Sequence, residues 1–235
     1  MTYQVSFITL YPEVFPGYLG HSLAKKALEK KIWDFKVFNI RDFAKDKYKK
    51  VDDKVFGGGA GLLIKPDVLG DCIDFALNSG ASDNMYYLSP AGEVFNQGKA
   101  FEMSEQKGIT FICGHFEGID NRVIKKYNLK EISIGDYILS GGELGAMVIV
   151  DSILRFLPNV INSKECITKE SFEDNLLEYP QYTKPVVYDN MEVPAVLLSG
   201  NHQKIASWRL QKAEEKTKMI RLDLWEKYKK INKKS

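Results

Sequence analysis

Ser133-Ile134-Gly135-Asp136-Tyr137-Ile138-Leu139-Ser140-Gly141-Gly142-Glu143-Leu144 joins an apolar run that reads as a strand (Ile132, Ile134) to an apolar segment, Ala146 to Phe156, that reads as a helix. Gly141 and Gly142 lack a Cβ, so the backbone can turn sharply there and a ligand can approach it closely. Binding residues collect in loops held at the end of a rigid strand. By itself the stretch fits a ligand loop and a tight strand-to-helix turn equally well.

Two earlier segments have the same build. Met85-Tyr86-Tyr87-Leu88 reads as a short strand ending in Ser89-Pro90-Ala91-Gly92, and Ile109-Thr110-Phe111-Ile112-Cys113 as another ending in Gly114-His115-Phe116-Glu117-Gly118-Ile119-Asp120. Each loop is followed by a helical pattern. In an open α/β sheet, ligands sit in the crevice beyond the carboxyl ends of the strands.

Outward from these loops, Tyr3 to Leu10 and Phe35 to Ile40 read as strands, and Ser22 to Lys31 and Pro66 to Leu77 as helices. Further helices are expected at Lys99–Glu105, Asp120–Tyr127 and Gly142–Phe156, with a strand at Glu131–Ile134. Strands alternating with helices predict an α/β fold with a mostly parallel sheet covered on both faces. Arg41 to Gly61 reads as a long irregular region, with clustered lysines and the run Phe56-Gly57-Gly58-Gly59-Ala60-Gly61. A structureless stretch this long is usually functional or disordered. No Gly-Lys-Ser/Thr follows the glycines and they form no GxGxxG in a βαβ setting, which excludes a nucleotide triphosphate or dinucleotide loop. The lysines either face phosphates or are simply solvated.

The expected domains are 1–159, a linker at 160–170, and a small, mainly helical domain at 171–235. The last part carries helical patterns at Gln203–Glu215 and Leu222–Ile231 and a loop or short hairpin at Met191–His202.

Composition sets outer bounds. A chain of 235 residues, 44% hydrophobic and 27% charged, can bury a sizeable core. Its three cysteines, Cys72, Cys113 and Cys166, form no CxxC and no even-numbered framework, which suggests a reducing compartment and argues against a zinc site. No signal peptide is visible and no apolar run reaches the roughly 20 residues of a membrane span. A cytoplasmic protein is therefore expected. Net charge is +2 but unevenly placed: Lys204 to Ser235 holds 11 Lys/Arg against 4 Asp/Glu, leaving 22 against 27 elsewhere. Such a basic end on an acidic body fits an anionic partner such as nucleic acid, and fits a solvated helix with a lysine tail as well.

Arg41-Asp42-Phe43, Val51-Asp52-Asp53, Phe56–Gly61, Tyr87–Pro90, Cys113–Asp120, Ser133–Leu144, Asp151–Phe156, Tyr182-Thr183-Lys184-Pro185 and Glu192–Arg209 follow one another over both expected domains. Taken together and in this order they resemble the bacterial tRNA (guanine-N1)-methyltransferases of the SPOUT superfamily. The resemblance implies a deep trefoil knot, a rare feature that periodicity cannot reveal, and a homodimer with its active site at the subunit interface. It implies S-adenosylmethionine as methyl donor, bound in the three loops. Tyr87, Leu88, Ser89 and Pro90 would line one wall, Gly114 and Glu117 the second loop, and Ile134, Gly135, Tyr137, Leu139, Gly141 and Gly142 the third.

The implied reaction methylates N1 of the guanosine 3′-adjacent to the anticodon (position 37) of tRNA, whose anticodon arm is the expected partner. N1 carries a proton, so a general base must remove it, and a cation near O6 stabilises the charge that develops. The resemblance places Glu170 at the general-base position and Arg155 at the arginine position. The family has aspartate where Glu170 stands. Gly145 and Ala60 stand where proline is common, and Phe116 where tyrosine is usual. Family members use Mg2+ for transfer, and no ligand cluster for it is visible here. An RNA base methyltransferase is the first reading; a non-catalytic RNA-binding protein on the same scaffold is the second.

Overall fold

The computed structural model describes residues 2–161 and 171–232. Its contacts divide the chain into two units, Met1–Asn162 and Ser163–Ser235. The first unit runs β1 (Tyr3–Thr9), α1 (Ser22–Glu29), β2 (Trp33–Asn39), β3 (Asp52–Lys54), β4 (Leu62–Ile64), α2 (Pro66–Asn78), β5 (Met85–Val94), α3 (Gln97–Ser104), β6 (Gly108–Ile112), α4 (Asn121–Lys126), β7 (Lys130–Ser133) and α5 (Glu143–Leu154). Five strands form one sheet in the order β2-β1-β6-β5-β7, with every adjacent pair parallel. This is the expected α/β fold, and its strand order is consistent with the expected knot.

Period-2 alternation decides which side chains meet which helices. Val5, Phe7, Tyr86, Ile109 and Phe111 join one core with α1, α3 and α5, whereas Ile8, Met85, Tyr87 and Ile112 join a second core with α2 and α4. A parallel sheet is covered on both faces for this reason. The first core is aromatic: the Phe7 ring stacks on Phe15 at 4.0 Å and on Phe111 at 6.1 Å. Trp33 is fully buried, and its indole N–H donates to the Ala24 carbonyl at 2.8 Å, so no polar atom of that ring is stranded.

Two sequence expectations need correction. β5 does not stop at Leu88. Leu88 and Glu93 both register with Ile132, so residues 89–92 bulge out of a strand that then continues to Val94. A bulge re-aims the chain without ending the strand, which alternation alone does not reveal. The region from Arg41 to Gly61 is also not structureless. It holds a 3-10 turn at Ile40–Phe43 and then β3, which pairs antiparallel with β4. The glycine run lies between these strands, with Gly57, Gly58, Gly59 and Gly61 all at positive φ.

The second unit contains β8 (Val187–Tyr188) and β9 (Met191–Glu192), which form a small antiparallel hairpin. These are followed by α6 (Ala195–Leu198), α7 (His202–Ile220) and α8 (Leu222–Asn232). It is mainly helical, as expected. α7 runs five residues past the expected end at Glu215. Thr217 accounts for the extension: it is fully buried, its hydroxyl donates to the Ala213 carbonyl at 2.7 Å, and it accepts Leu177 N–H at 2.8 Å. Tyr228 on α8 donates to Glu214 on α7 at 2.6 Å, tying the two helices together.

Candidate functional site

The carboxyl ends of β5, β6 and β7 lie side by side because these strands are neighbours in the sheet. Their following segments surround a cavity of about 260 Å³. The twelve residues expected to bind the donor all line it. Tyr87, Leu88, Ser89 and Pro90 come from β5 and its bulge, and Gly114 and Glu117 from the segment after β6. Ile134, Gly135, Tyr137, Leu139, Gly141 and Gly142 come from the segment after β7.

The loops hold one another through the backbone. Gly142 N–H donates to the Gly114 carbonyl at 3.1 Å, and His115 forms an isolated antiparallel bridge with Gly141. Gly142 is required by close approach: a Cβ there would lie 2.8 Å from Cys113 Cα and 3.1 Å from Leu88 Cβ. Gly135 is required by conformation, its φ of 142° lying where L side chains are strained. Its N–H is accepted by Ser133 Oγ at 3.2 Å, and the Tyr137 hydroxyl donates to the Ile134 carbonyl at 3.0 Å. The third loop thus carries its own internal bracing.

The β3–β4 hairpin flanks the second loop. Glu117 N–H donates to Leu62 O and Ile64 N–H to Gly118 O, both at 3.0 Å. The irregular glycine region therefore belongs to the surroundings of the cavity. The only cue in the sequence was a second apolar run, Leu62-Leu63-Ile64, following Val51 across the glycines.

A buried polar group under the cavity was also missed. Glu143, at the first position of α5, is buried; it accepts the Thr9 hydroxyl at 2.5 Å and lies 2.8 and 2.9 Å from His115 Nε2. Thr9 Oγ1 in turn accepts Tyr11 N–H at 2.9 Å. Carboxylates are favoured in the first turn of a helix, but nothing in the order of residues places Glu143 beside His115, 28 positions earlier. His115 and Phe116 both line the cavity. Burial pushes the Tyr87 phenol above its ordinary value. Burial likewise pushes the Cys113 thiol well up, with the Glu143 charge a lesser cause. Both groups are therefore neutral near pH 7.

The two expected catalytic residues stand differently. Arg155 is the C-cap of α5. At 1.5 Å rise per residue it lies roughly 15 Å along the axis from Gly145, the last residue of α5 to line the cavity. Glu170 lies outside the described residues. Among the described residues no group of three or more His, Cys, Asp or Glu side chains is placed to hold a metal ion, and no helix is long and apolar enough to cross a membrane.

The cavity suits a small ligand with a flat heterocycle. Leu88, Ile134 and Leu139 give it apolar lining, while Gly114, Gly135, Gly141 and Gly142 bring loop backbone to its wall. Residues 3–227 match the model of the family described as tRNA (Guanine-1)-methyltransferase TrmD. The tRNA (guanine-N(1)-)-methyltransferase of Pelagibacter ubique (strain HTCC1062) is 52% identical over 228 residues, covering 97% of this chain and 99% of that protein. Those of Wolbachia pipientis wMel and Rickettsia rickettsii (strain Sheila Smith) are 50% and 49% identical over 226 residues. They cover 95% and 94% of this chain, and 96% and 97% of their own lengths.

Proposed function

The chain belongs to the tRNA (guanine-N1)-methyltransferase family and is an enzyme of that class, and from this premise we propose that S-adenosylmethionine occupies the three-loop cavity and that position 37 of tRNA receives the methyl group. The convergence of all twelve expected residues on one cavity carries this reading. The cavity also fits the donor chemically, with apolar walls for adenine and loop backbone for its polar edge. When bound, the donor supplies an electrophilic methyl on a sulfonium.

The chain's own residues manage the proton and the charge. Glu170 takes the proton from guanine N1, which is a poor nucleophile while protonated. Arg155 stabilises negative charge developing towards O6, an interaction stronger in the transition state than in the ground state. Glutamate performs the chemistry of the family aspartate with one more methylene.

The position of Arg155 supports a homodimer. A side chain roughly 15 Å along α5 from the lining of its own cavity is better placed to serve the cavity of a second copy. The second unit, with its excess of Lys and Arg from Lys204 onward, serves the anticodon arm through phosphate contacts, which position the substrate.

The test is transfer of labelled methyl from the donor to an unmodified tRNA carrying G at position 37, with the labelled nucleoside identified. Label in 1-methylguanosine is expected. Glu170→Gln abolishes transfer and leaves donor binding intact; full activity in this variant removes Glu170 as the base.

A further inference from the structure

The second unit has a cavity of its own, about 370 Å³, to which the reaction described above gives no role. Its size falls within the roughly 300–1,000 Å³ typical of sites for small organic groups. The floor is apolar, made by Val186, Val193, Leu197 and Ile205. The first two are brought together by the hairpin, Val193 N–H donating to Val186 O at 2.9 Å.

Two tyrosines form the walls, and each is held. The Arg209 guanidinium lies 4.9 Å from the Tyr179 ring centroid, and the Tyr182 ring lies 6.3 Å from Trp208. Aromatic faces fixed in this way receive a flat ring with little further ordering of the protein.

Charge narrows the choice of occupant. Lys184 and Arg209 line the cavity and no carboxylate does. Lys184 has no ion-pair partner among the described residues, whereas Lys212, Arg221 and Lys229 elsewhere in the unit each hold a carboxylate. An apolar slot with aromatic walls and two cations in a lining without carboxylates matches an uncharged planar group attached to an anionic backbone. An unpaired RNA base has this chemistry: it stacks on aromatic side chains while its flanking phosphates meet lysine and arginine. An apolar protein segment would fill the floor but bring no negative charge to Lys184 and Arg209.

We propose that an unpaired base of the tRNA substrate inserts into this slot against Tyr182 and Tyr179, with Lys184 and Arg209 on the adjoining phosphates. The proposal rests on tRNA being the substrate, and it adds a second point of base contact away from the methylated guanine.

The experiment uses the full-length protein and tRNAs carrying 2-aminopurine at single unpaired positions of the anticodon arm. One position is expected to change emission on binding. Tyr182→Ala removes that change and weakens tRNA binding roughly tenfold, the size of one lost stacking contact. Tyr182→Phe, which keeps the ring, restores both. Lys184→Gln lowers the slope of log affinity against log salt by about one. Donor binding is unchanged in all three variants. If the wild type binds tRNA and Tyr182→Ala binds it equally well, or no position changes emission, the inference falls alone. If the wild type neither binds nor methylates tRNA, the reading of the substrate falls first and takes the inference with it. Dissociation of Tyr182→Ala from dimer to monomer in sedimentation would assign the slot to a second copy of the chain and overturn the proposal.

Discussion

His115 Nε2 lies 2.8 and 2.9 Å from the two carboxylate oxygens of Glu143, a contact that bridges the second and third loops of the cavity from beneath. Thr9 supplies a further hydrogen bond to the same carboxylate from β1. Removing Glu143 leaves the Thr9 hydroxyl and the His115 N–H without their partner in a buried place, which costs about 1–3 kcal/mol per stranded group. Glu143→Ala is therefore expected to lower the melting temperature. It should also weaken donor binding about tenfold or more, because the loops lose a common anchor. Glu143→Gln, which keeps one acceptor oxygen, should fall between it and the wild type. Calorimetric titration with S-adenosylmethionine separates the three; equal donor affinity in all of them would show that the pair has no part in shaping the cavity.

Gly142 tests the same junction through the backbone. A methyl group there would press on Cys113 Cα at 2.8 Å, and Cys113 belongs to the end of a fully buried strand that has no room to retreat. Overpacking of this kind costs about 1–3 kcal/mol. Gly142→Ala should fold with reduced stability and lose measurable donor binding. Unchanged affinity would mean that the third loop can move off the first and second without opening the cavity.

The sheet, the order of its strands and helices, and the three cavity loops were legible because apolar alternation and glycine placement are local signals. The twelve cavity residues came from family resemblance carried by those loops. The bulge after Leu88 was not legible: it depends on Leu88 and Glu93 both matching Ile132 on another strand. Neither was the β3–β4 hairpin, whose strands are only three residues each and separated by glycines. The Thr9–Glu143–His115 group escaped for a similar reason. It spans 134 positions of the chain and exists only where β1, α5 and the loop after β6 meet.

Asp120 closes the second loop and caps α4, its carboxylate accepting Arg122 N–H at 2.8 Å. Loss of such a cap costs about 1 kcal/mol, so Asp120→Ala should be destabilised by that amount in urea unfolding. The charged part of the interaction has a separate signature. The Arg122 guanidinium, hydrogen-bonded to the same carboxylate, holds Asp120 below its ordinary value, with the backbone N–H adding to the effect and burial opposing it. A carboxyl depressed in the folded state stabilises above its unfolded value, near pH 4, and that contribution disappears as pH falls through the folded value. Asp120→Asn keeps a capping oxygen and loses the charge. Its stability deficit relative to wild type should be full at pH 7 and vanish once the pH has fallen below the depressed folded value. A deficit independent of pH would show that Arg122 contributes nothing through charge.

Cys72 and Cys113 are both fully buried, one packed in each of the two cores of the first unit. Burial pushes the Cys72 thiol up to about 12 and raises Cys113 well above its usual range. The thiolate is the reactive form, so at pH 8 neither presents a usable nucleophile while the fold is intact. In a Cys166→Ser variant, a thiol reagent should therefore react with neither remaining cysteine until denaturant is added, and then with both. Cys113 lies beneath Gly142 and beside Glu143, so its protection reports on the loop junction in particular. In a Glu143→Ala background Cys113 should label measurably faster than Cys72, and saturating donor should slow it again. Equal rates for the two thiols, with or without donor, would show that loosening the junction does not reach the end of β6.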